Sequence, residues 1–323
     1  MKQQLTIHMI VKNNESTIED CISSFESINC NFLIADLGCG DTTIAKIDKK
    51  KAKIIKLSFK DDMSELKNTM IEQTDSEWIL FVEPWEKIII GQENILKAAC
   101  GKPEIYSFNI IQGDILSKEI RLWHRSKNIS YKNPVFETIE KTSSALDVYV
   151  SCKGNRPVEK RVISQWINKN PLSPDPFYYM ACWELTNNNW DSFINYAELF
   201  LHQQKKKTMS TYMTEYYLSM IQCYVKKNYQ NAMQHIFSCI IKNPTMAEFW
   251  CLLGDIHCAV KQYEKAIDFY DNAIILGSRR KINSEWPMEI SKYKQYPEKM
   301  IESCKKIMLN TKVYERLNDV IKK

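Results

Sequence analysis

Glu83 and Glu86 follow directly on the continuous apolar run Trp78 to Val82, with Pro84 and Trp85 between them. Neighbouring carboxylates can hold a hard divalent cation through oxygen or take a proton during a displacement. An indole beside them offers a face on which a sugar or a base can stack. The run before them has the length of a buried strand, and polar residues just past such a strand are where open α/β sheets bind ligands. A second constellation closes the apolar run Asn31 to Ala35, in the order Asp36-Leu37-Gly38-Cys39-Gly40-Asp41. Glycines after a strand let the backbone approach a phosphate, and a following helix start favours its charge. Gly38 and Gly40 do not make the G-x-G-x-x-G fingerprint and no P-loop is present. A plain tight turn explains them equally well.

Elements that would position these residues are legible around them. Leu5 to Val11 reads as a strand broken by Lys12 to Ser16, and Thr17 to Glu26 as a helix with Ile18, Cys21, Ile22 and Phe25 on one face. Asn31 to Ala35 is a second strand, and a helix is expected to start at Asp41 or Thr42 under an Asx or Thr cap. Ala52 to Leu57 is a third strand. Met63, Leu66, Met70 and Ile71 then fall at helical spacing before the fourth strand, Trp78 to Val82. Strand–helix alternation at this spacing predicts a Rossmann-like α/β domain with a mainly parallel sheet and helices on both faces.

Composition narrows the class. The chain has 323 residues, 44% apolar and 26% charged, with a net charge of +5. That suits about two globular domains at roughly 150 residues each. The charge admits an anionic ligand such as a nucleotide, while lysines spread without clustering argue against nucleic acid as a partner. Eleven cysteines stand singly, with no C-x-x-C, which argues against a disulfide framework or a structural zinc site. No signal-peptide pattern opens the sequence and no apolar run approaches the roughly 20 residues of a membrane span. A cytoplasmic protein is expected. His8, inside the first strand, is read as a packed core residue.

The stretch Phe59 to Glu86, FKDDMSELKNTMIEQTDSEWILFVEPWE, resembles the segment of family 2 glycosyltransferases in which a D-F-S-x-x-R-N helix precedes an apolar strand ending in D-x-D-E. The resemblance implies a GT-A fold and a nucleotide-sugar donor, of which a UDP-sugar is the leading form. Asn13 sits where the family has its N-E pair, with Asn14 replacing the Glu. Asp36 and Asp41 match the aspartates of D-x-G-S-x-D, the first of which contacts the base in the family, as a carboxylate can accept the N3–H of uracil. Ser64, Lys67 and Asn68 match S-x-x-R-N, with Lys keeping the cation but losing the bidentate fork. Arg121 to Arg125 resembles R-x-F-R, and Tyr131 to Glu137 resembles F-x-G-x-V-H-E, with Asn133 at the glycine, Phe136 at the histidine and Glu137 retained. The metal-binding aspartates and the histidine are thus replaced, two positions by the aromatics Trp85 and Phe136, which cannot ligate Mg²⁺ or Mn²⁺. Three readings stay open. Lys67 and Arg121 carry the diphosphate without metal, or Glu83 and Glu86 form a reduced metal site, or the domain binds without catalysing. Under the first two, Glu137 is the first candidate for the base and Glu86 the second; Asn13, Asp36, Asp41, Lys67, Asn68, Glu83, Trp85 and Arg121 form the donor site.

Beyond Asn168 to Pro176 every segment is helical in pattern. Trp250, Leu253, Gly254, Ala266, Tyr270 and Ala273 stand at tetratricopeptide-repeat spacing, and the period of about 34 residues carries back to Tyr216, Ala232, Cys239 and Pro244. A weaker unit holds Phe177, Ala181, Ala197 and Phe200, and Ile301 to Ile321 is expected to cap the stack. The boundary is placed between residues 165 and 166, with an all-α repeat-like domain after it. Such a solenoid suits a peptide or protein acceptor or a second subunit, and a helical buttress is the plain alternative. The domain order resembles bacterial peptide S-glycosyltransferases from about Leu5 to Gly277. A silent glycosyltransferase-like scaffold, its repeats binding a partner, is the alternative to an enzyme.

Overall fold

The computed structural model describes residues 4–281 and 286–321, and the chain divides into two compact units, Met1–Asn170 and Pro171–Lys323. The first is an α/β unit. Its elements in order are β1 (Leu5–Val11), α1 (Ile18–Ser23), β2 (Asn31–Asp36), β3 (Ala52–Lys56), α2 (Met63–Glu72), β4 (Trp78–Phe81), β5 (Glu86–Ile90), α3 (Gln92–Ala99), β6 (Ile105–Gln112), β7 (Ile115–His124), β8 (Ser144–Cys152) and α4 (Lys160–Lys169). The strands are ordered β3-β2-β1-β4-β7-β6-β8-β5. β3, β2, β1 and β4 pair in parallel, while β7 runs antiparallel to both β4 and β6. β8 lies parallel to β6 and antiparallel to β5.

Alternation along β1 explains its central place. Leu5, Ile7, Met9 and Val11 face one core with Ile18, Phe25 and Ile95, and Ile10 faces the other with Met63, Leu66 and Met70. Successive side chains of a strand point to opposite faces, so α1 and α3 cover one side and α2 the other. His8 is buried on the second face against Thr74, with Nε2 2.6 Å from the hydroxyl, and burial pushes its pKa down to about 3. It is a neutral core residue.

One expected helix is absent. Between β2 and β3 there is only a single 3-10 turn, Thr43–Lys46. Asp41 Oδ1 accepts from Thr43 N at 3.0 Å and Oδ2 from Glu15 N at 3.1 Å, so the carboxylate closes an Asx turn instead of capping an α-helix. The β-branched pair Thr42-Thr43 offers little to prolong a helix. An Asx cap is found instead at the start of α2, where the Asp62 side chain accepts from Glu65 N at 3.1 Å.

The second unit is helical, with α5 (Asp175–Thr186), α6 (Trp190–Gln203), α7 (Met209–Tyr224), α8 (Tyr229–Lys242), α9 (Ala247–Ala259), α10 (Tyr263–Gly277) and α11 (Gln295–Ile321). Small residues at the repeat positions let paired helices approach. A Cβ on Gly254 would lie 2.6 Å from the Tyr270 ring, and Ala232, Cys239, Ala266 and Ala273 are fully buried. Ile301 and Cys304 of α11 close the last pair by packing on Ala266 and Tyr270. Among the described residues no helix is long and apolar enough to cross a membrane.

Candidate functional site

The carboxyl ends of the parallel strands gather the charged residues of the first unit. α2 brings Lys67, the turn after β4 brings Glu83, the loop after β7 brings Glu137, and the loop after β8 brings Arg156. Lys67 Nζ stands 3.1 Å from Glu137 Oε2 and 3.7 Å from Glu83 Oε1. Arg156 Nη2 stands 2.7 Å from Glu83 Oε2, and its Nη1 3.5 Å from Glu137 Oε1. Each carboxylate therefore meets both cations, one per oxygen, in a closed ring of alternating sign. Lys67 also lies 4.1 Å from the centroid of the Phe81 ring and 4.8 Å from that of Tyr131, so aromatic faces replace water around its charge. Burial alone would raise the Glu83 carboxyl, but Arg156, Lys67 and Arg121 outweigh it and hold it below its ordinary value.

Beneath the ring is a second ion cluster. Leu80 pairs with Leu122 across β4 and β7, which delivers the neighbouring Arg121 to the same edge as Glu83. Its Nη2 donates to Glu86 Oε1 at 2.6 Å and lies 2.8 Å from Glu119 Oε2. Glu86 Oε2 accepts from Glu83 N at 2.9 Å, so Glu86 fixes the turn that carries Glu83. Burial pushes the Glu86 carboxyl up to about 7 against the pull of Arg121, with Glu83 and Glu119 adding to the rise. The Arg121 charge is met by carboxylates at both Glu86 and Glu119, beneath the ring rather than within it.

The remaining candidates knit the neighbouring loops. Asp36 Oδ1 accepts from Gly38 N at 2.9 Å and Cys39 N at 2.8 Å. Burial raises Asp36, yet these donors and Lys56 leave it below its ordinary value. Lys56, paired with Asp36 across β2 and β3, also lines a cleft of about 260 Å³ with Ser58, Lys60, Asp62 and Thr69. Asn13, in the left-handed region at φ 56°, accepts from Gly40 N at 2.8 Å and so ties the loop after β1 to that after β2. Asn68 clamps the backbone of Tyr131, donating to its O at 3.0 Å and accepting from its N at 2.8 Å. That clamp anchors the loop on which Asn133 and Phe136 both hold positive φ, at 74° and 51°. Asn tolerates this conformation, but in a bulky Phe it stores about 1–3 kcal/mol of strain, directly beside Glu137. The Trp85 ring packs on Gly154, where a Cβ would come within 2.8 Å of Cγ, and its centroid lies 6.0 Å from Arg156 Cζ.

A divalent ion does not fit this ring. All oxygens of Glu83 and Glu137 already face a fixed ammonium or guanidinium, and an ion would have to displace Lys67 or Arg156 to reach them. Among the described residues no group of three or more His, Cys, Asp or Glu side chains is arranged to hold a metal.

No protein-family model matches the chain. A TPR repeat-containing protein of Synechococcus elongatus is 23% identical over 149 residues, which is 44% of this chain and 37% of the relative. The chain thus matches well under half the length of that protein. Among solved structures, MamA of Desulfovibrio magneticus RS-1 superposes with a TM-score of 0.36 at 18% identity, over 50% of this chain and 85% of that one. S. aureus TarS 1-349 in complex with UDP-GlcNAc gives 0.37 at 14% identity, over 94% and 92%. Likeness at this level does not carry ligand chemistry across, and the site rests on its own residues.

Sequence reasoning gathers Lys67, Glu83, Glu86, Arg121 and Glu137 and misses Arg156 and Glu119. Arg156 follows a strand whose pairing delivers it, since Glu86 lies opposite Cys152 and Lys153 N donates to Trp85 O at 3.2 Å. The only signal in the sequence is the run Lys153-Gly154-Asn155-Arg156-Pro157, a loop composition common to many turns.

Proposed function

We propose that the first unit binds a nucleotide-sugar, with UDP-sugars as the leading class, and transfers its sugar to a peptide or protein acceptor held by the helical repeats. The observation that carries this reading is the convergence of Lys67, Glu83, Glu137 and Arg156 beside the carboxyl end of β4, on the same edge of the sheet as Asp36 at the end of β2. That edge is where open sheets bind ligands. Buried ion pairs contribute little net stability even when matched, so a cluster of them at that edge suits a role other than holding the fold together. In this reading Asp36 and Asp41 shape the base-binding turn and Asn13 holds it closed. The ion ring faces the diphosphate and Trp85 offers a stacking surface. Glu137 takes the acceptor proton, with Glu86 supporting the turn from below and Arg121 fixed under it. Displacement at the anomeric carbon needs a base near the acceptor and positive charge at the leaving diphosphate, and these groups supply both without a divalent ion.

A second reading, a non-catalytic scaffold, is favoured by one observation. Lys67, Arg121 and Arg156 are each already matched by carboxylates, as in a ligand-free structural cluster. Slow release of UDP from UDP-hexoses, followed by chromatography in the absence of acceptor, separates the two. Release that falls at least tenfold in Asp36→Asn supports the transferase. Absence of both release and UDP binding supports the scaffold.

A further inference from the structure

We propose that Arg156, acting with Lys67, occupies the role that a divalent cation fills at a carboxylate-lined diphosphate site, and that its guanidinium grips the diphosphate directly. This rests on the nucleotide-sugar reading above and adds to it the identity of the group that replaces the ion. The first support is charge. Glu83 and Glu137 with Lys67 and Arg156 sum to zero, the same balance that two carboxylates reach with one divalent ion. The second is geometry. Arg156 spans both carboxylates, with Nη2 2.7 Å from Glu83 and Nη1 3.5 Å from Glu137, as a bridging cation must. The third is access. The Arg156 side chain is 21% exposed against 6% for Lys67, so it is the cation of the ring with an edge in solvent. A guanidinium carries five N–H donors in a planar fork that matches phosphate oxygens, and the two carboxylates engage its Nη1 and Nη2. Lys67, sealed against Phe81 and Tyr131, serves as the fixed counter-charge that keeps both carboxylates in place. The misfit of a metal then has a cause. The positive charge is built into the chain.

The test is calorimetric titration of the full chain with UDP and with uridine, in EDTA and in Mn²⁺, for wild type, Arg156→Gln and Arg156→Lys. Wild type is expected to bind UDP equally in both buffers. Arg156→Gln should weaken UDP by about 10- to 100-fold in EDTA, as for loss of a charge-assisted contact, and leave uridine unchanged. Because the substitution frees one cation's place on Glu83 and Glu137, Mn²⁺ should restore much of the UDP affinity to Arg156→Gln. Arg156→Lys should fall between the two, and it keeps the test open if the Gln variant does not fold. Wild-type binding that requires Mn²⁺ overturns the inference while the nucleotide reading stands. So does unaltered UDP affinity in Arg156→Gln, or a loss that Mn²⁺ does not restore. Wild type that binds neither UDP nor uridine in either buffer overturns the uridine-nucleotide reading, and this inference with it.

Discussion

A lysine held almost out of water survives only if its charge is met, and at Lys67 it is met by Glu83, Glu137 and two aromatic faces. Breaking one member of a buried ion network strands the others. Lys67→Met, which keeps the stem but removes the charge, should cost about 3–5 kcal/mol by urea denaturation. Adding Glu137→Gln should recover part of it, and a loss under about 1 kcal/mol would show the ring to be solvated. Glu86 makes a pH prediction. Its carboxyl is raised from 4.5 to about 7, so the folded state holds the proton more tightly than the unfolded chain. Its contribution to stability is therefore present below 4.5 and declines as pH rises through about 7. Glu83 has the opposite sign, since its value is lowered, and its contribution is lost as pH falls. The difference in urea midpoint between pH 5 and pH 8 should shrink in Glu86→Gln, whatever that variant's absolute stability. An unchanged difference would place the titration elsewhere.

At the level of elements, β1, β2, β3, β4 and α2 were legible because apolar alternation and helical spacing are local properties. The helix expected after Asp41 was not formed, since Asp41 spends its oxygens on Thr43 and Glu15 and ends the turn. β5 to β8 left a weaker trace, because charged and amide residues interrupt the apolar runs of β6 and β7 and because β5 pairs with the distant β8. In the helical unit the repeat pattern carried through to geometry at Gly254. Alanine there would gain up to about 1 kcal/mol in helix propensity, but its Cβ would meet the Tyr270 ring at 2.6 Å. That ring cannot swing away freely, since its hydroxyl donates to Asp255 Oδ1 at 2.5 Å. Overpacking costs about 1–3 kcal/mol and should win. Gly254→Ala is expected to lower the thermal midpoint, and a raised midpoint would show that Tyr270 relaxes.

For the whole molecule, each unit has its own buried clusters, which is the physical requirement for independent folding. Fragments covering residues 1–170 and 171–323 should each melt cooperatively by circular dichroism, and a fragment without a transition would show that it depends on the other. The class of each half is legible in the chain, because strand alternation and repeat spacing are written in neighbouring residues. The sequence also marked Lys67, Glu83, Glu86, Arg121 and Glu137 as the residues to weigh. Which charge meets which is a property of the folded chain. Arg121 went under the site to Glu86 and Glu119, Asn68 to the Tyr131 backbone, and Arg156 into the ring with Glu83 and Glu137. Ion pairing is set by strand order and register across distant segments, and no local pattern in the chain encodes it.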